Sequence, residues 1–190
     1  YISEYVDTTK ALNYTDVFSS KKEYFRKITT TDIHIGFSKH HYWYSFVIKN
    51  TSHSPKSVII ELDNATISYF RFYIRHDSLI SISKKMGISY PFQSRDVTSN
   101  KFAFQLDMDS GETYACLLEI HPNDDALNIP LSIYSPKGYI KKTTETNTLL
   151  GLFFGIILAL ILFALLTLYF NIKEHSYYYF ALYALFAGLW

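Results

Sequence analysis

Residues 102–120 read FAFQLDMDSGETYACLLEI, and this stretch decides the fold of the chain. In its first half every second residue is large and apolar and the residues between are small or polar, which is typical of a half-buried strand. After the turn DSG the second half repeats this alternation. Two apolar faces of this kind predict two sheets packed face to face. The inward-facing residues would be Phe102, Phe104, Leu106 and Met108, then Tyr114, Cys116, Leu118 and Ile120.

Outward from this stretch, short β-branched and aromatic runs separated by turn-forming residues occupy residues 31–136. Such spacing is typical of a β-sandwich or a barrel. The pattern predicts a mainly β domain of about eight strands. The strands would be Ile33–Phe37, Tyr42–Lys49, Ser57–Asp63, Ile67–His76, Leu79–Ser83, Phe102–Met108, Glu112–His121 and Leu127–Tyr134.

The segments on either side of this domain show no sustained period. Residues 1–30 carry mixed signals and are interpreted as an irregular lead-in. Residues 137–148 are polar, follow Pro136, and are interpreted as a short tether.

Residues 149–170 read LLGLFFGIILALILFALLTLYF and contain no charged residue. At about 1.5 Å per residue, a helix of this length crosses a bilayer, so we expect a first transmembrane helix and a membrane protein. Residues 171–176 form a short polar turn. A second apolar run, residues 177–190, is interpreted as the start of a second transmembrane helix, truncated at the end of the chain.

Charge and cysteine content exclude some functions. The 18 basic and 17 acidic residues leave no excess charge of the kind that a nucleic-acid surface needs. The single cysteine, Cys116, can form no internal disulfide and is interpreted as a small core residue. The opening YISEYVDTTK lacks a basic segment followed by an apolar core, so it does not have the pattern of a signal peptide.

The order of features resembles one receptor family. Residues 43–74, WYSFVIKNTSHSPKSVIIELDNATISYFRFYI, are similar to the extracellular sensor domain of the bacterial seven-transmembrane receptors with diverse intracellular signalling modules (7TMR-DISM). The similar features are an aromatic strand, an Asn-containing turn, an aliphatic strand and a second aromatic strand. The resemblance continues through PFQSR (91–95), FAFQLDM, SGE and IPLSIYSP (129–136) into both apolar segments.

The resemblance implies a jelly-roll-like sandwich, similar to carbohydrate-binding modules, outside the inner membrane of a bacterium. It also implies seven helices and an output module beyond these residues: a histidine kinase, a diguanylate or adenylate cyclase, or a phosphatase. The lysines Lys137, Lys141 and Lys142 oppose this orientation, because the positive-inside rule would place the domain in the cytoplasm. We expect a periplasmic or extracellular domain, since that rule weakens for a long translocated domain.

No arrangement of residues points to catalysis. His40 and His41 are adjacent, so their rings would point to opposite faces of a strand rather than share a metal. Glu61 and Asp63 share a strand face, but at an end that we interpret as solvated. There is no glycine-rich phosphate loop. We predict no catalytic residue, metal or cofactor here, and no enzyme activity for this part of the protein.

A binding surface is easier to motivate, because sugar sites use aromatic rings for stacking and polar groups for the hydroxyls around them. On the aromatic strand Ile67–His76, alternate residues should face outward or a groove. The alternative interpretation is that Arg71 and Arg75 lie on a solvated sheet face and that aromatic residues such as Trp43 pack in the core. The candidate ligand-binding residues are Tyr69, Arg71, Tyr73 and Arg75, with Glu61 and His76 nearby.

Three small residues, Gly151, Gly155 and Ala159, fall four apart in the first apolar segment. Such a stripe lets a second helix approach closely. We expect it to pack against another span of the same protein, with homodimerisation as the alternative.

These observations favour a transmembrane signalling receptor whose sandwich binds a small extracytoplasmic ligand, with carbohydrates among the candidates, and biases the helices behind it. The expected partners are that ligand and the lipid bilayer, with no nucleic acid. A membrane-anchored structural or protein-interaction domain is the alternative. The surface of the Ile67–His76 strand discriminates between them, since a long uncovered edge would favour protein contact.

Overall fold

The chain forms two compact units, Tyr1–Pro136 and Lys137–Trp190. The structure is a computed structural model, and it describes residues 2–20, 24–28, 33–83, 85–122, 126–170 and 176–189. The first unit holds eleven strands, one short α-helix and the 3-10 helix Phe92–Ser94 among its described residues. The strands are β1 Ile2–Asp7, β2 Arg26–Ile28, β3 Ile33–Phe37, β4 His41–Lys49, β5 Lys56–Leu62, β6 Tyr69–His76, β7 Leu79–Ile82, β8 Phe102–Met108, β9 Thr113–His121, β10 Ala126–Ile129 and β11 Leu131–Tyr134; the α-helix is α1 Tyr14–Ser20.

The strands form antiparallel sheets that make a β-sandwich. One sheet has six strands in the order β2-β1-β4-β9-β6-β7. The facing strands form a three-stranded sheet, β11-β5-β8, and a two-stranded sheet, β10-β3. The mainly β sandwich predicted from the alternation is therefore confirmed.

The core lies between the sheets and is built from aromatic rings. Phe70 and Phe72 of β6 meet Phe102 and Phe104 of β8, with ring centroids 4.6 Å apart in the first pair and 4.7 Å in the second. Every inward-facing residue predicted for residues 102–120 is buried, including Cys116. Burial raises the pKa of the Cys116 thiol to about 12. The thiol is a core group, as expected from its place in the strand pattern.

The interpretation of residues 1–30 as an irregular lead-in is wrong for the described part. Strand β1 pairs with β4 over Ser3–Asp7 and with β2 on its other side, so it lies inside the six-stranded sheet. Helix α1 begins after Asn13, whose side-chain oxygen accepts the N–H groups of Thr15 and Asp16 at 2.9 and 3.1 Å. The order of this segment comes from pairing and capping rather than from a local hydrophobic period.

The last predicted strand, Leu127–Tyr134, is two strands. Pro130 separates β10 from β11, because proline has no N–H to donate to a strand ladder. Strand β10 pairs with β3, whereas β11 pairs with β5. The chain thereby changes sheets within one residue.

The second unit contains two helices, α2 Pro136–Phe170 and α3 Ser176–Leu189. The predicted tether is helical rather than irregular, with Pro136 in the first turn, where proline is tolerated, and an i, i+4 pair between Lys141 and Glu145 at 3.8 Å. Within the described residues, one helix is long and apolar enough to cross a membrane. The predicted turn falls largely on residues 171–175, outside the described residues, as does Trp190.

Gly151 and Gly155 of the small-residue stripe have open space around them, and Ala159 is exposed. The packing of the stripe against another span stays a prediction.

Candidate functional site

A cleft of about 560 Å³ opens on the outer face of the six-stranded sheet, where β4 begins, β9 ends and β6 begins. Its walls come from these strand ends, the loop after β1 and the segment after β7. Cationic, aromatic and hydroxyl side chains dominate the surface. The lining residues are Lys10, Lys39, His41, Ser68, Tyr69, Lys85, Ser89, Tyr90, His121 and Pro122.

The floor of the cleft is a stack of three rings. His121 lies between His41 and Tyr69, with centroid separations of 3.5 Å and 4.2 Å and interplanar angles of 9° and 25°. The strand register explains the stack. Tyr69 pairs with His121. Tyr42 pairs with Ile120, and this register sets the preceding residue, His41, opposite His121, so His41, His121 and Tyr69 are cross-strand neighbours on one face. Tyr90 adds a tilted ring 5.9 Å from Tyr69.

A buried carboxylate, Glu119, supports the stack from below. Its Oε1 lies 2.9 Å from Nε2 of His121, and its Oε2 accepts a hydrogen bond from the Tyr73 hydroxyl at 2.6 Å. Burial acts to raise the pKa of Glu119, but the hydrogen bonds from His121 and Tyr73 outweigh it and hold the pKa below its usual value. Glu119 is therefore an anion that fixes the orientation of His121.

The other two rings also have shifted pKa values. Burial, with a smaller contribution from Glu119, raises the pKa of Tyr69 to about 12, so its hydroxyl stays protonated. The pKa of His41 is lowered, first by burial and then by the neighbouring His121 ring. A positive charge on His41 is thus disfavoured.

Lys10 is held at the cleft by a loop built around Asp7. The two carboxylate oxygens of this buried residue accept the backbone N–H groups of Thr9, Lys10 and Leu12 at 3.0 to 3.1 Å. Burial opposes ionisation, yet the hydrogen bonds from Thr9, Leu12 and Lys10 lower the pKa of Asp7. The loop places Lys10 in the lining of the cleft, where its charge contributes to the lowered pKa of His41.

The opposite wall depends on Gly87. Met86 exchanges two backbone hydrogen bonds with Phe70, at 2.8 and 3.1 Å, and fixes the segment that carries Lys85 and Tyr90. Gly87 has φ of +137°, and a Cβ at this position would clash with the carbonyl of Ser68. Only glycine fits this close approach without a shift.

The sequence predicted that Tyr69, Arg71, Tyr73 and Arg75 share the outer face of β6, and they do. Only Tyr69 reaches the cleft. Tyr73 stacks on Tyr14, near the start of α1, at 4.8 Å, and Arg75 lies over the Phe18 ring at 4.7 Å. Arg71 donates from Nε to the carbonyl oxygen of Ser83 at 3.1 Å.

The two remaining candidates lie elsewhere. Glu61 belongs to the three-stranded sheet and is fully buried, so its interpretation as part of a solvated strand end is wrong. The neighbouring Asp63 forms an ion pair with Lys101 at 2.5 Å. His76, at the far end of β6, stacks on Tyr114 and lies 3.2 Å from Glu112.

The cleft residues other than Tyr69 were not predicted from the sequence. His41 and His121 are far apart in the sequence, and only the antiparallel register of β4, β9 and β6 brings their rings together. The available signal was the position of His41 and His121 at strand ends. It could not be used without the strand order.

The comparisons with known proteins identify the class of the chain. The chain has a β-sandwich followed by one described helix that is long and apolar enough to span a bilayer. The model of the 7TMR-DISM extracellular 2 family (7TMR-DISMED2) matches residues 1–135. The chain therefore belongs to this family of extracellular sensor domains of transmembrane receptors, as the sequence resemblance predicted, and its N-terminal domain is extracellular.

No curated protein matches the chain. Among solved structures, that of a family GH115 4-O-methyl-alpha-glucuronidase with specificity for decorated arabinogalactans aligns with a TM-score of 0.28 and 15% identity. The alignment covers 55% of this chain and 14% of that chain.

Proposed function

We propose that the chain is the sensor domain and first membrane span of a bacterial transmembrane signalling receptor, with its sandwich on the periplasmic side of the inner membrane. The sandwich binds a small extracytoplasmic ligand in the cleft over His41, His121 and Tyr69. The observation that carries the proposal is this open, ring-floored cleft in a domain of an extracellular receptor family.

The cleft has the properties of a small-molecule site. Its volume of about 560 Å³ lies within the range of about 300–1,000 Å³ that is usual for ligand pockets. Tyr69 and Tyr90 offer ring surface, and Ser68 and Ser89 lie beside them. Rings with polar groups around them suit sugars as well as other ring compounds, so carbohydrates are one ligand class to test.

The strand order supports ligand binding over protein contact. Strand β6, whose surface was the discriminating feature, is not an edge, because β9 pairs with one side of it and β7 with the other. The edge strand β7 has only four residues. A long uncovered edge of the kind that recruits a partner strand is therefore not found at β6.

A continuous helix offers a route for the signal. Helix α2 runs from Pro136, directly after the last strand, through the apolar segment. A ligand shifts a receptor between two states only through a difference in affinity for them. The helix would carry that difference to the output module, to which any catalytic activity of the full protein would belong.

Thermal unfolding of the full chain in detergent, across a panel of sugars, amino acids and organic acids, tests the proposal. A compound that binds only the native state raises the melting temperature. Tyr69→Ala should abolish the shift, whereas Tyr24→Ala, at a tyrosine that is 67% exposed and does not line the cleft, should preserve it. A shift that survives Tyr69→Ala would place the ligand elsewhere and contradict the proposal.

A further inference from the structure

The cleft is rich in positive charge and in hydrogen-bond donors. We infer, resting on the proposed function, that its ligand carries an anionic group, a carboxylate or a phosphate. We further infer that binding adds a proton to the stacked pair His41 and His121. The inference assigns a chemical class to a site that the fold alone leaves open.

Lysines surround the cleft from three separate segments. Lys10 comes from the loop after β1, Lys39 precedes β4, and Lys85 follows β7. Lys10 and Lys85 are exposed and belong to none of the ion pairs between described residues. Convergence of ammonium groups from distant parts of a chain produces a positive potential that attracts anions.

The nearby carboxylates of the described chain already accept hydrogen bonds from other groups of the protein. Asp7 accepts three backbone N–H groups of its own loop, and Glu119 is held by His121 and Tyr73. Both are buried. Asp124 and Asp125 lie outside the described residues. Within the described part of the site, a ligand would meet ammonium, imidazole and hydroxyl groups before it meets a carboxylate.

The balance of donors and acceptors separates an anion from a neutral sugar. An ammonium group offers three donors and no acceptor, and a charged imidazole also offers only donors. A neutral sugar needs acceptors for its hydroxyl hydrogens, whereas a carboxylate or a phosphate uses donors alone. The described lining includes no Asp, Glu, Asn or Gln.

The histidine pair couples anion binding to protonation. The ionisable groups that act on His41 are His121, Asp7, Glu119 and Lys10. Burial is the main factor that disfavours a charge on His41; His121 and Lys10 add to it, while the carboxylates of Asp7 and Glu119 act in the opposite direction. An anion above the stack would add a further negative charge that favours the protonated ring, so protonation and anion binding should favour each other.

Matched probes test the inference on the full chain in detergent, with histidines labelled for NMR. The probes are galacturonate and galactose, which differ by a carboxylate in place of a hydroxymethyl group, and inorganic phosphate. Galacturonate or phosphate should raise the titration midpoint of the pair, and galactose should not. Uptake of one proton makes the apparent affinity rise by up to about tenfold per pH unit as the pH falls through the titration range.

Charge variants locate the effect. Lys85→Ala should weaken anion binding by about five- to tenfold, with partial rescue by Lys85→Arg. The matched control is Lys49→Ala, an exposed lysine at the far end of the strand that begins with His41, and it should leave affinity unchanged. Galacturonate and phosphate also reveal whether the cleft prefers carboxylates or phosphates.

The outcomes separate this inference from the proposed function. Binding of galactose or another neutral compound, lost in Tyr69→Ala and independent of Lys85 and pH, would overturn the anion inference and leave the sensor function standing. If galacturonate and phosphate leave both histidine titrations unchanged, the anion inference is wrong. If in addition no compound of the panel binds, the proposed function fails with it.

Discussion

The outer face of the six-stranded sheet has two regions, built on the same three strands, that differ in what lies over them. At one end His41, His121 and Tyr69 floor an open cleft. Further along the same strands, the outer-face residues pack under the N-terminal segment that includes α1. This covered cluster consists of Trp43, Leu117, Tyr73 and Val17, with Tyr5, Leu12, Tyr14, Phe18 and Phe25 against it.

The contrast shows that an aromatic outer face is not by itself a binding surface. Tyr73 and Tyr69 are both tyrosines on alternate positions of β6, yet Tyr73 is 3% exposed while Tyr69 lines the cleft. The covering segment decides which tyrosine lines the open cleft. Glu119 joins the two regions, because it contacts His121 in the cleft and Tyr73 in the covered cluster.

The largest effect is expected from Trp43→Ala in the covered cluster. Trp43 is 1% exposed, and removal of such a ring costs about 3–5 kcal/mol of the free energy of unfolding. Urea denaturation of the full chain in detergent measures it. Binding in the cleft at a temperature where the variant is folded should persist. A cost below about 1 kcal/mol would mean that the N-terminal segment does not cover this region tightly.

Gly87→Ala should damage the open region instead. The new methyl group would clash with the Ser68 carbonyl, and the φ of +137° is strained for any other residue. We expect a loss of about 1–3 kcal/mol in the free energy of unfolding and weaker ligand binding, because the wall with Lys85 and Tyr90 shifts. Gly111→Ala is the matched control, because an added Cβ meets nothing within 4 Å there. This variant introduces backbone strain without a clash and lies away from the cleft. Equal binding by both variants and the parent would argue that this wall is not part of the site.

Tyr73→Phe tests the link between the two regions. It removes a buried hydrogen bond to Glu119, and we expect a loss of about 1–2 kcal/mol near neutral pH. The folded-state pKa of Glu119 is lowered, so its contribution is present above the usual value of about 4.5 and is lost as the pH falls through the folded pKa. Stability of the variant should therefore depend less on pH in this acidic range. Tyr24→Phe on the surface serves as the control, and an unchanged acid slope would contradict the link.

Much of the fold could be predicted from local pattern. The alternation in residues 102–120 and the aromatic run of β6 assign core and outer faces correctly, because a period of two is a property of any strand packed on one side. Pairing of β1 with β4 could not be predicted, since ISEYVD has no clear alternation and is ordered by its neighbour. The split at Pro130 was readable from proline chemistry, but the change of sheet was not.

The site was less predictable for a related reason. Period-two alternation placed Tyr69 and Tyr73 on one face, but it contains no information on which residues of a distant segment cover that face. The position of Lys10 depends on Asp7 and its hydrogen-bonded loop, and the stack of His41 on His121 depends on strand register. Both features depend on residues that are distant in the sequence, and neither can be predicted from a single sequence.

The smallest effect concerns the pH dependence of His41 in the open region. Its pKa is lowered in the folded state, so folding favours the neutral ring: the contribution is present above the usual value of about 6.5 and falls as the pH drops through that value toward the folded pKa. His41→Gln should flatten this part of the stability curve by about 0.5 kcal/mol, measured by urea midpoints at a series of pH values.

His53→Gln, at an exposed histidine of the β4–β5 turn, is the control for His41→Gln. Addition of phosphate tests the difference between the two regions directly, because an anion in the cleft should offset the acid-side loss of stability in the parent chain and not in His41→Gln. The covered cluster contains no histidine and should not respond to phosphate. An acid-side slope that phosphate changes equally in the parent and in His41→Gln would show that the sensitivity to anions does not arise at the open end of the sheet.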